Sequence, residues 1–390
     1  MDIILRRYIL ITIIIVSQLL SFADYSFAFV PMLKSNSGIN SFLSDSDPLL
    51  NLPPNANPKL VGALVANNLL TRDFMMRADG SGIHYAELCT AEGAITFSSL
   101  TQDTALSSLL MQRYSCFLKP GCSLIKPNGG GSQVALVVLA MYLQNKQQDC
   151  LDRVYSLLEQ QRDRWNNADP NTGLPSNMRY WSDDVYFFSA TESRIFKING
   201  DVNSIDRVTK MLTAYLDTLQ LPNGLIKHTR HVPFVWGRGA GWVAAGLADA
   251  LLALPLDHPK RQVLMESYLR LMEGLLPYQS SSGLWRQLID YPNAWEETSG
   301  TGMFTYAMVT GIRLGWLNPE IYCPVVKKAW LALVSKLNEK GELQDVCIGT
   351  NEMMTAQGYL DRRAKTGDHH GQGPLLWTAN ALLLLERNKQ

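Results

Sequence analysis

The sequence predicts an all-α fold, in which residues 59–390 form a single-domain (α/α)6 toroid. Apolar residues recur at helical spacing from residue 60 onward, and strand-like alternation is scarce. A glycine with an apolar residue after it recurs in loops at Gly82, Gly173, Gly224, Gly283 and Gly341, and the Gly-rich loop 127–131 falls in the one wide gap. Because a helical hairpin cannot bury both faces alone, we expect six hairpins to stack side by side and close into a ring.

The helical segments follow one another along the chain. Their predicted ranges are 60–76, 99–118, 133–144, 149–163, 184–198, 203–219, 241–254, 260–276, 301–314, 320–337 and 372–387. An open solenoid needs a polar cap, and the last segment is too apolar for one. Motifs that follow the glycine turns should therefore gather at one mouth of a closed ring.

The N-terminal segment is typical of an export signal. Arg6 and Arg7 precede the apolar run 9–20, and Ser21-Phe22-Ala23 offers a small-x-small cleavage site. We expect a signal peptide at 1–23, a loose leader at 24–58 and a secreted protein that does not contact the membrane after signal removal. The alternative is an anchor helix, although the apolar run is short for a span of about 20 residues.

Composition excludes some classes of partner. Hydrophobic residues make up 46% and charged residues 18%, the net charge is zero, and no run of lysine or arginine suggests nucleic acid. Six cysteines in an exported chain predict disulfides, with Cys323–Cys347 as one pair and further pairing among the other four. Buried free thiols are the alternative. No Cys/His spacing suggests zinc.

A candidate sugar-binding segment runs from Asn223 to Trp242, with the sequence NGLIKHTRHVPFVWGRGAGW. Arg238 and Trp242 lie four residues apart, so on a helix they share one face. A guanidinium beside an indole suits an anionic sugar, because the guanidinium binds carboxylate and the ring stacks on the pyranose. The alternative is a Gly-rich helix start with its tryptophans in the core.

The segment RYWSDDVYFF carries the best candidate acid. Asp183 and Asp184 precede a helix, where adjacent aspartates often serve only as caps. Aromatic walls and a like-charged neighbour would instead raise the pKa of Asp183, as a general acid requires. Glu297 is left as a second acid, a hydrogen-bond partner of Arg238, a member of a structural ion pair or a helix-start residue. Asp368, His369 and His370 suggest pocket lining or loop bonding rather than a metal site.

Five motifs in order resemble one family from about residue 60 to the C-terminus: WSDDVYF, GLIKH, WGRGAGW, GLWRQLID…EETSGTGMFTYAMVTGIRLGWL and GDHHGQGPLLW. The chain resembles the unsaturated rhamnogalacturonyl hydrolases and, more distantly, the unsaturated glucuronyl hydrolases. The resemblance implies an (α/α)6 barrel and an oligosaccharide substrate that ends in a 4,5-unsaturated uronic acid. The implied reaction protonates C4, adds water at C5 and releases the remaining sugar without a metal or organic cofactor.

By motif position, the resemblance implies that Asp183 is the acid/base and that Trp181 lines the pocket. It likewise implies substrate contacts for His228, Arg238 and Trp242, and the last motif adds His370 as a binding candidate. Two departures stand out. At the position where the family has its second aspartate, this chain has no carboxylate, so Asn128 or Asp103 is left to take its place. Ala240 stands where the family usually has an asparagine.

Two other functions remain open from the sequence. An ordinary glycosidase would need two carboxylates at a set separation, and Asp183 with Glu297 or Asp103 would be the pair. A non-catalytic uronic-acid-binding protein would keep Arg238 and Trp242 without a competent acid.

Overall fold

The computed structural model describes Leu49 and residues 51–127 and 130–387. The predicted signal peptide, most of the predicted leader and Asn128 lie outside the described residues. The described end of the leader contains a 3-10 helix, Pro54–Ala56, and Trp330 Nε1 donates to Ala56 O at 2.8 Å. No helix in the described part is long and apolar enough to cross a membrane.

Helices dominate the described residues. They are α1 (Pro58–Leu70), α2 (Tyr85–Thr101), α3 (Thr104–Arg113), α4 (Gly131–Asn145), α5 (Gln148–Asn166), α6 (Val185–Asn199), α7 (Val202–Leu219), α8 (Gly237–Ala253), α9 (Arg261–Leu275), α10 (Thr298–Arg313), α11 (Pro319–Ser335), α12 (Ala356–Leu360) and α13 (His369–Arg387). Two antiparallel pairs of two-residue strands join the loops: β1 (Trp285–Arg286) with β2 (Glu296–Glu297), and β3 (Val346–Cys347) with β4 (Ala364–Lys365).

The helices form two concentric layers. The inner helices α2, α4, α6, α8, α10 and α13 each pack against the next, and α13 packs against α2. The outer helices α3, α5, α7, α9 and α11 each follow and cover an inner helix, while α1 covers α13. The ends of the described chain thus complete the sixth hairpin together, which confirms the predicted (α/α)6 toroid.

The sequences of the two layers differ as their burial requires. The outer helix α7 buries one stripe at helical spacing, which includes Ile205, Val208, Leu212 and Leu216. Every residue of the inner helix α8 from Gly237 to Leu251 is buried, and glycine and alanine there let neighbouring helices approach closely.

The glycine turns set the distance between hairpins. Gly224, Gly283 and Gly341 have φ of 86°, 105° and 79°, a conformation that favours glycine. A Cβ on Gly224 would lie 2.0 Å from Arg270 O of α9, and one on Gly283 would lie 2.5 Å from Lys328 O of α11. A Cβ on Gly341 would lie 2.7 Å from Leu64 O of α1. Each turn therefore rests on the outer helix of the next hairpin, and the last contact closes the ring.

Two predicted helix ranges are wrong around the first hairpin. The first segment ends at Leu70, and the predicted range 99–118 spans a break at Gln102, where φ is 56°. Helix α2 was missed because it is buried on nearly every side and shows no apolar stripe. Asp103 caps α3 by accepting from Leu106 N at 2.9 Å. It follows the C-terminus of α2, about 25 Å from the helix start, so Asp103 does not reach the opposite end.

The predicted Cys323–Cys347 disulfide is also wrong. The structure bonds Cys116 to Cys122, six residues apart, while Cys347 is a buried free thiol. Cys347 lies in β3, where its N–H donates to Glu297 Oε1 at 2.9 Å and its carbonyl accepts from Arg238. These contacts hold Cys347 in the ring interior through its backbone.

We expect Gly341→Ala to destabilise the protein more than Gly315→Ala. Both glycines have positive φ, +79° and +69°, but a Cβ on Gly315 meets nothing within 4 Å. Gly315→Ala should cost about 1 kcal/mol of strain alone. Gly341→Ala should add about 2 kcal/mol, because α1 must move away from the turn.

Urea unfolding of the two variants beside the parent protein measures both losses. Equal losses would contradict the assignment of Gly341 as the contact that closes the ring.

Candidate active site

A cavity of about 600 Å³ opens where the inner helices begin. Its wall includes Tyr85 at the start of α2, Gln133 in α4, Asp183 before α6 and Trp242 in α8. Because the inner helices run in one direction, the positive ends of their dipoles face this mouth. Further lining residues are Arg77, Ser132, Gln161, Arg164, Trp165, Pro175, Asn177, Met178, Arg179, Trp181, Asp184, Phe187, Phe188, Met211, Tyr215, Thr350 and Asn351.

Backbone contacts between two neighbouring loops position Asp183. Ser182 N donates to His228 O at 2.9 Å, and Trp181 forms a β-bridge with Thr229. Asp183 lies in the 3-10 turn that follows, with its Oδ2 3.0 Å from His228 Nε2. The Asp183 side chain is 18% exposed and His228 is fully buried. The structure thus brings together Trp181, Asp183 and His228, as the sequence predicted.

Tyr359 fixes the orientation of His228. Its hydroxyl lies 2.6 Å from His228 Nδ1 and accepts from Met353 N at 3.2 Å. With that acceptor position taken, the hydroxyl proton points to Nδ1, so a neutral imidazole carries its own proton on Nε2. His228 therefore donates to Asp183. The ring of Trp236, 4.6 Å away, holds the imidazole from the side.

The prediction that the pKa of Asp183 is raised is wrong for the ligand-free site. Burial raises the pKa of Asp183, but the hydrogen bond from His228 and the charges of Arg238 and Arg179 together lower it. The like-charged neighbour expected to oppose ionisation is neutralised elsewhere: Asp184 accepts from Arg179 Nε at 2.8 Å and from Tyr215 Oη at 2.9 Å.

Arg238 lies at the site as a buried cation. Only 1% of it is exposed, and its guanidinium stacks on Trp236 with 4.5 Å between Cζ and the ring centre. It donates to Cys347 O, to Ile348 O at 2.8 Å and to Ser299 Oγ at 3.2 Å. Arg238 therefore acts on the cavity through its charge in the ligand-free site, and its contact with substrate stays a prediction.

Trp242 lies one turn further along α8. It is 1% exposed, yet it lines the cavity. Its ring packs against Tyr85, Tyr186 and Phe187 with centres 6.2, 5.6 and 5.9 Å apart. Trp242 thus gives the cavity an aromatic floor. Of the predicted pair, the tryptophan lines the cavity and the arginine lies behind its wall.

Glu297 serves as a helix cap. Its carboxylate accepts from Ser299 N at 2.9 Å and from Gly300 N at 2.7 Å, and it is 1% exposed. It does not line the cavity and has no hydrogen bond to Arg238. Neither Glu297 nor Asp103 can therefore pair with Asp183 across the cavity, and both predicted two-carboxylate pairs are wrong.

His370 is connected to the cavity by a hydrogen bond with Tyr85, which lines it. Its Nδ1 lies 2.6 Å from Asp368 Oδ1, and its Nε2 lies 2.8 Å from Tyr85 Oη. His369 turns away, with its Nδ1 3.0 Å from Thr90 Oγ1. Among the described residues no group of three or more His, Cys, Asp or Glu side chains could hold a metal ion.

Sequence reasoning missed two tyrosines of the site. Tyr85 follows the N-cap of an inner helix, as Asp183 precedes one, and correct bounds for α2 would have indicated it. Tyr359 reaches His228 from α12, 131 residues along the chain, and no local pattern predicts that contact.

The fold and site together define a class of protein. A closed ring of six helical hairpins, with a carboxyl–imidazole pair and an aromatic floor in the cavity at one mouth, is the arrangement of a toroidal glycoside hydrolase. The chain belongs to Glycosyl Hydrolase Family 88, whose sequence profile matches residues 75–384.

Named relatives and a solved structure agree with this membership. The unsaturated 3S-rhamnoglycuronyl hydrolase of Formosa agariphila is 34% identical over 120 residues, 30% of this chain and 32% of that protein. The unsaturated rhamnogalacturonyl hydrolase YesR of Bacillus subtilis is 30% identical over 138 residues, 35% of this chain and 38% of that protein. The chain thus matches about a third of each relative.

The solved structure of the unsaturated glucuronyl hydrolase of Bacillus sp. GL1 shares the fold with a TM-score of 0.64 at 14% identity. The match covers 86% of this chain and 97% of that one.

We expect His228→Leu to raise the pKa of Asp183. Burial of the carboxyl and the charges of Arg238 and Arg179 persist in the variant, while the hydrogen bond from His228, which lowers the pKa, is lost. The Asp183 signal in a carboxyl-carbon NMR titration, assigned with Asp183→Asn, should titrate at a higher pH in the variant than in the parent protein.

His231→Leu provides the control, since His231 is half exposed and pairs with Glu352 instead. An unchanged Asp183 titration in His228→Leu would show that His228 does not govern the carboxyl.

Proposed function

We propose that the protein releases a 4,5-unsaturated uronic acid from the non-reducing end of lyase-generated oligosaccharides by hydrating the C4=C5 bond. One observation carries the proposal: among the described residues that line the cavity, Asp183 is the carboxyl without an arginine or lysine partner, and it is held by His228 at 3.0 Å. Among the described lining residues the other carboxylate is Asp184, which Arg179 and Tyr215 hold. Enol ether hydration needs one acid, whereas ordinary glycoside hydrolysis needs two separated carboxyls.

Asp183 is the proposed proton donor. Its proton goes to C4 as the C4=C5 electron pair forms the new C–H bond, and positive charge develops on C5 and the ring oxygen. Water then bonds to C5 and gives a proton to the Asp183 carboxylate. The hemiketal opens and releases the remaining sugar, so the proposed reaction needs an acid and water but no metal or organic cofactor.

The lowered pKa of Asp183 is compatible with this role because the substrate is an anion. Arg77, Arg164 and Arg179 line the cavity, and Arg238 lies behind its wall. A bound carboxylate would offset these positive charges and place a negative charge near Asp183, and both effects raise the pKa of Asp183. The carboxyl would therefore gain its proton when the substrate binds.

Relatives support the choice of substrate class. The names of the matched proteins from Formosa agariphila and Bacillus subtilis both describe hydrolases of unsaturated uronyl groups. The proposed substrate covers both galacturonyl and glucuronyl ends. The aromatic floor around Trp242 gives such a ring a surface to pack against.

We expect the protein to remove the ultraviolet absorbance of an unsaturated disaccharide, in which C4=C5 is conjugated with the carboxylate. Asp183→Asn should lower kcat by about 1,000-fold, because it cannot supply the proton. Asp184→Asn is the matched control and should keep most of the activity, since that carboxylate is bound to Arg179.

A disaccharide with the same linkage but a saturated terminal ring separates the alternatives. The proposed reaction leaves it intact, whereas an ordinary glycosidase would cleave it. Binding of the unsaturated sugar without loss of absorbance would instead favour the non-catalytic binding protein.

We also propose that the protein is exported. Arg6, Arg7 and the apolar run 9–20 support a signal peptide, and the Cys116–Cys122 disulfide suits an oxidising compartment. Sequencing the N-terminus of the expressed protein should give Asp24 as the first residue. Retention of residues 1–23 in the membrane fraction would favour the anchor helix.

A further inference from the structure

A second chain of hydrogen bonds reaches the cavity from the wall formed by α2 and α13. Asp368 Oδ1 lies 2.6 Å from His370 Nδ1, and His370 Nε2 lies 2.8 Å from Tyr85 Oη. Asp368 and His370 are buried, at 3% and 1% exposure, whereas Tyr85 is partly exposed and lines the cavity. The reaction proposed above uses none of these side chains.

The buried carboxylate determines the direction of these hydrogen bonds. Asp368 accepts from His370, so the Nδ1 of the neutral imidazole carries the proton and Nε2 carries a lone pair. The Tyr85 hydroxyl therefore donates its only proton to Nε2. Its oxygen can then act toward the cavity only as an acceptor.

The pKa values of Tyr85 and His370 keep this hydrogen bond in the same direction under ordinary conditions. Burial is the largest cause that raises the pKa of Tyr85, which keeps the phenol protonated. Burial and then the charge of Arg238 lower the pKa of His370, although Asp368 opposes this shift. Tyr85 thus provides a fixed acceptor rather than a tyrosinate base.

The two series of hydrogen-bonded side chains at the cavity run in opposite order. In Asp183–His228–Tyr359 the carboxyl meets the cavity and the tyrosine is buried. In Tyr85–His370–Asp368 the tyrosine meets the cavity and the carboxylate is buried. The first chain presents an acid to a ligand, and the second presents an oxygen that accepts a hydrogen bond.

We propose that Tyr85 accepts a hydrogen bond from the water that adds to C5, and that His370 and Asp368 are positioning residues that aim the Tyr85 oxygen. This inference rests on the proposed function. Asp183 gives its proton to C4, the water oxygen bonds to C5, and one water proton passes to the Asp183 carboxylate. Tyr85 holds the second water proton in a hydrogen bond and takes no proton itself, so the number of protons balances.

Such an acceptor fills a role that the carboxylates near the cavity do not. A water that attacks C5 must be oriented by acceptors, and Asp183 is needed at C4 in the same step. Asp184 is held by Arg179 and Tyr215, and Glu297 caps α10. Tyr85 lines the same cavity as Asp183, and the charge of Asp183 is among the causes that raise the pKa of Tyr85.

Competition between water and methanol for C5 tests the proposal directly. The full chain hydrates an unsaturated disaccharide in water–methanol mixtures, and mass spectrometry measures the methyl ketal relative to the hydrated product. Tyr85→Phe should raise the methanol-to-water ratio severalfold and lower kcat by about 10-fold to 100-fold, because the ring remains while the acceptor is lost. KM should change little.

Matched variants distinguish the hydroxyl from the packing of the ring. Tyr186→Phe removes a hydroxyl from the same aromatic cluster but away from the cavity wall, and it should keep the parent ratio. His370→Leu should behave like Tyr85→Phe. His370→Gln, whose amide oxygen can accept from Tyr85, should restore part of the preference for water.

The outcomes separate this inference from the function on which it rests. If the parent protein does not consume the disaccharide, the proposed function fails and the inference fails with it. If the parent is active and Tyr85→Phe keeps the parent rate and ratio, only the role of Tyr85 is overturned. A ratio unchanged in both His370 variants while Tyr85→Phe shifts would overturn the positioning role of His370.

Discussion

The contact between each glycine turn and the outer helix of the next hairpin is the constraint on which the architecture depends. At Gly224, Gly283 and Gly341 the turn lies so close to a helix backbone that a Cβ would overlap a carbonyl oxygen. Repetition of this contact gives neighbouring hairpins one relative placement, and the last repeat joins Gly341 to α1. Because every inner helix then begins at the same end, chemistry placed at helix starts converges on one cavity.

Closure of the ring also leaves side chains of the inner helices facing one another along the axis. Two turns below Tyr85 and Trp242, the residues Glu92 and Asp249 accept from Arg194 at 2.8 and 3.3 Å. Trp377 Nε1 donates to Glu92 at 2.8 Å, and Tyr306 donates to Asp249.

Buried charges of this kind are tolerated when they are paired and hydrogen-bonded, as these are. The cavity therefore ends on an aromatic layer with a paired ionic layer below it, rather than opening into a channel.

The sequence predicted the helical repeat, and the end of the ring at which each motif lies, more reliably than it predicted the contacts of each side chain. Asp183 and His228 follow glycine turns or precede inner helices, and periodicity alone is enough to place them at one mouth. Arg238 and Trp242 were correctly expected on one helix. The carbonyls of Cys347 and Ile348 that bind the arginine come from 109 and 110 residues downstream. Helical spacing contains no information about such distant partners.

The same limit explains the other errors. Cysteine order does not determine distance, so the expected Cys323–Cys347 pair does not form, while the pairing expected among the other four cysteines is the Cys116–Cys122 bond. Tyr359 belongs to a five-residue helix in a long loop, whose course depends on the completed ring. Helix α2 lacks an apolar stripe because it is surrounded by protein, and burial on all sides removes the periodic signal that reveals an amphipathic helix.

The pKa of Asp183 shows why aromatic surroundings alone do not identify a general acid. Aromatic walls desolvate the carboxyl and raise its pKa, as the sequence suggested, but the hydrogen bond from His228 and the cations at the same site outweigh that effect when no substrate is bound. An acid that serves an anionic substrate can be ionised at rest, because the substrate carries the negative charge that favours its protonation. A neutral sugar would lack that charge and would leave Asp183 as a carboxylate, so in the proposed reaction the electrostatics that attract a uronic acid would also restrict proton transfer to it.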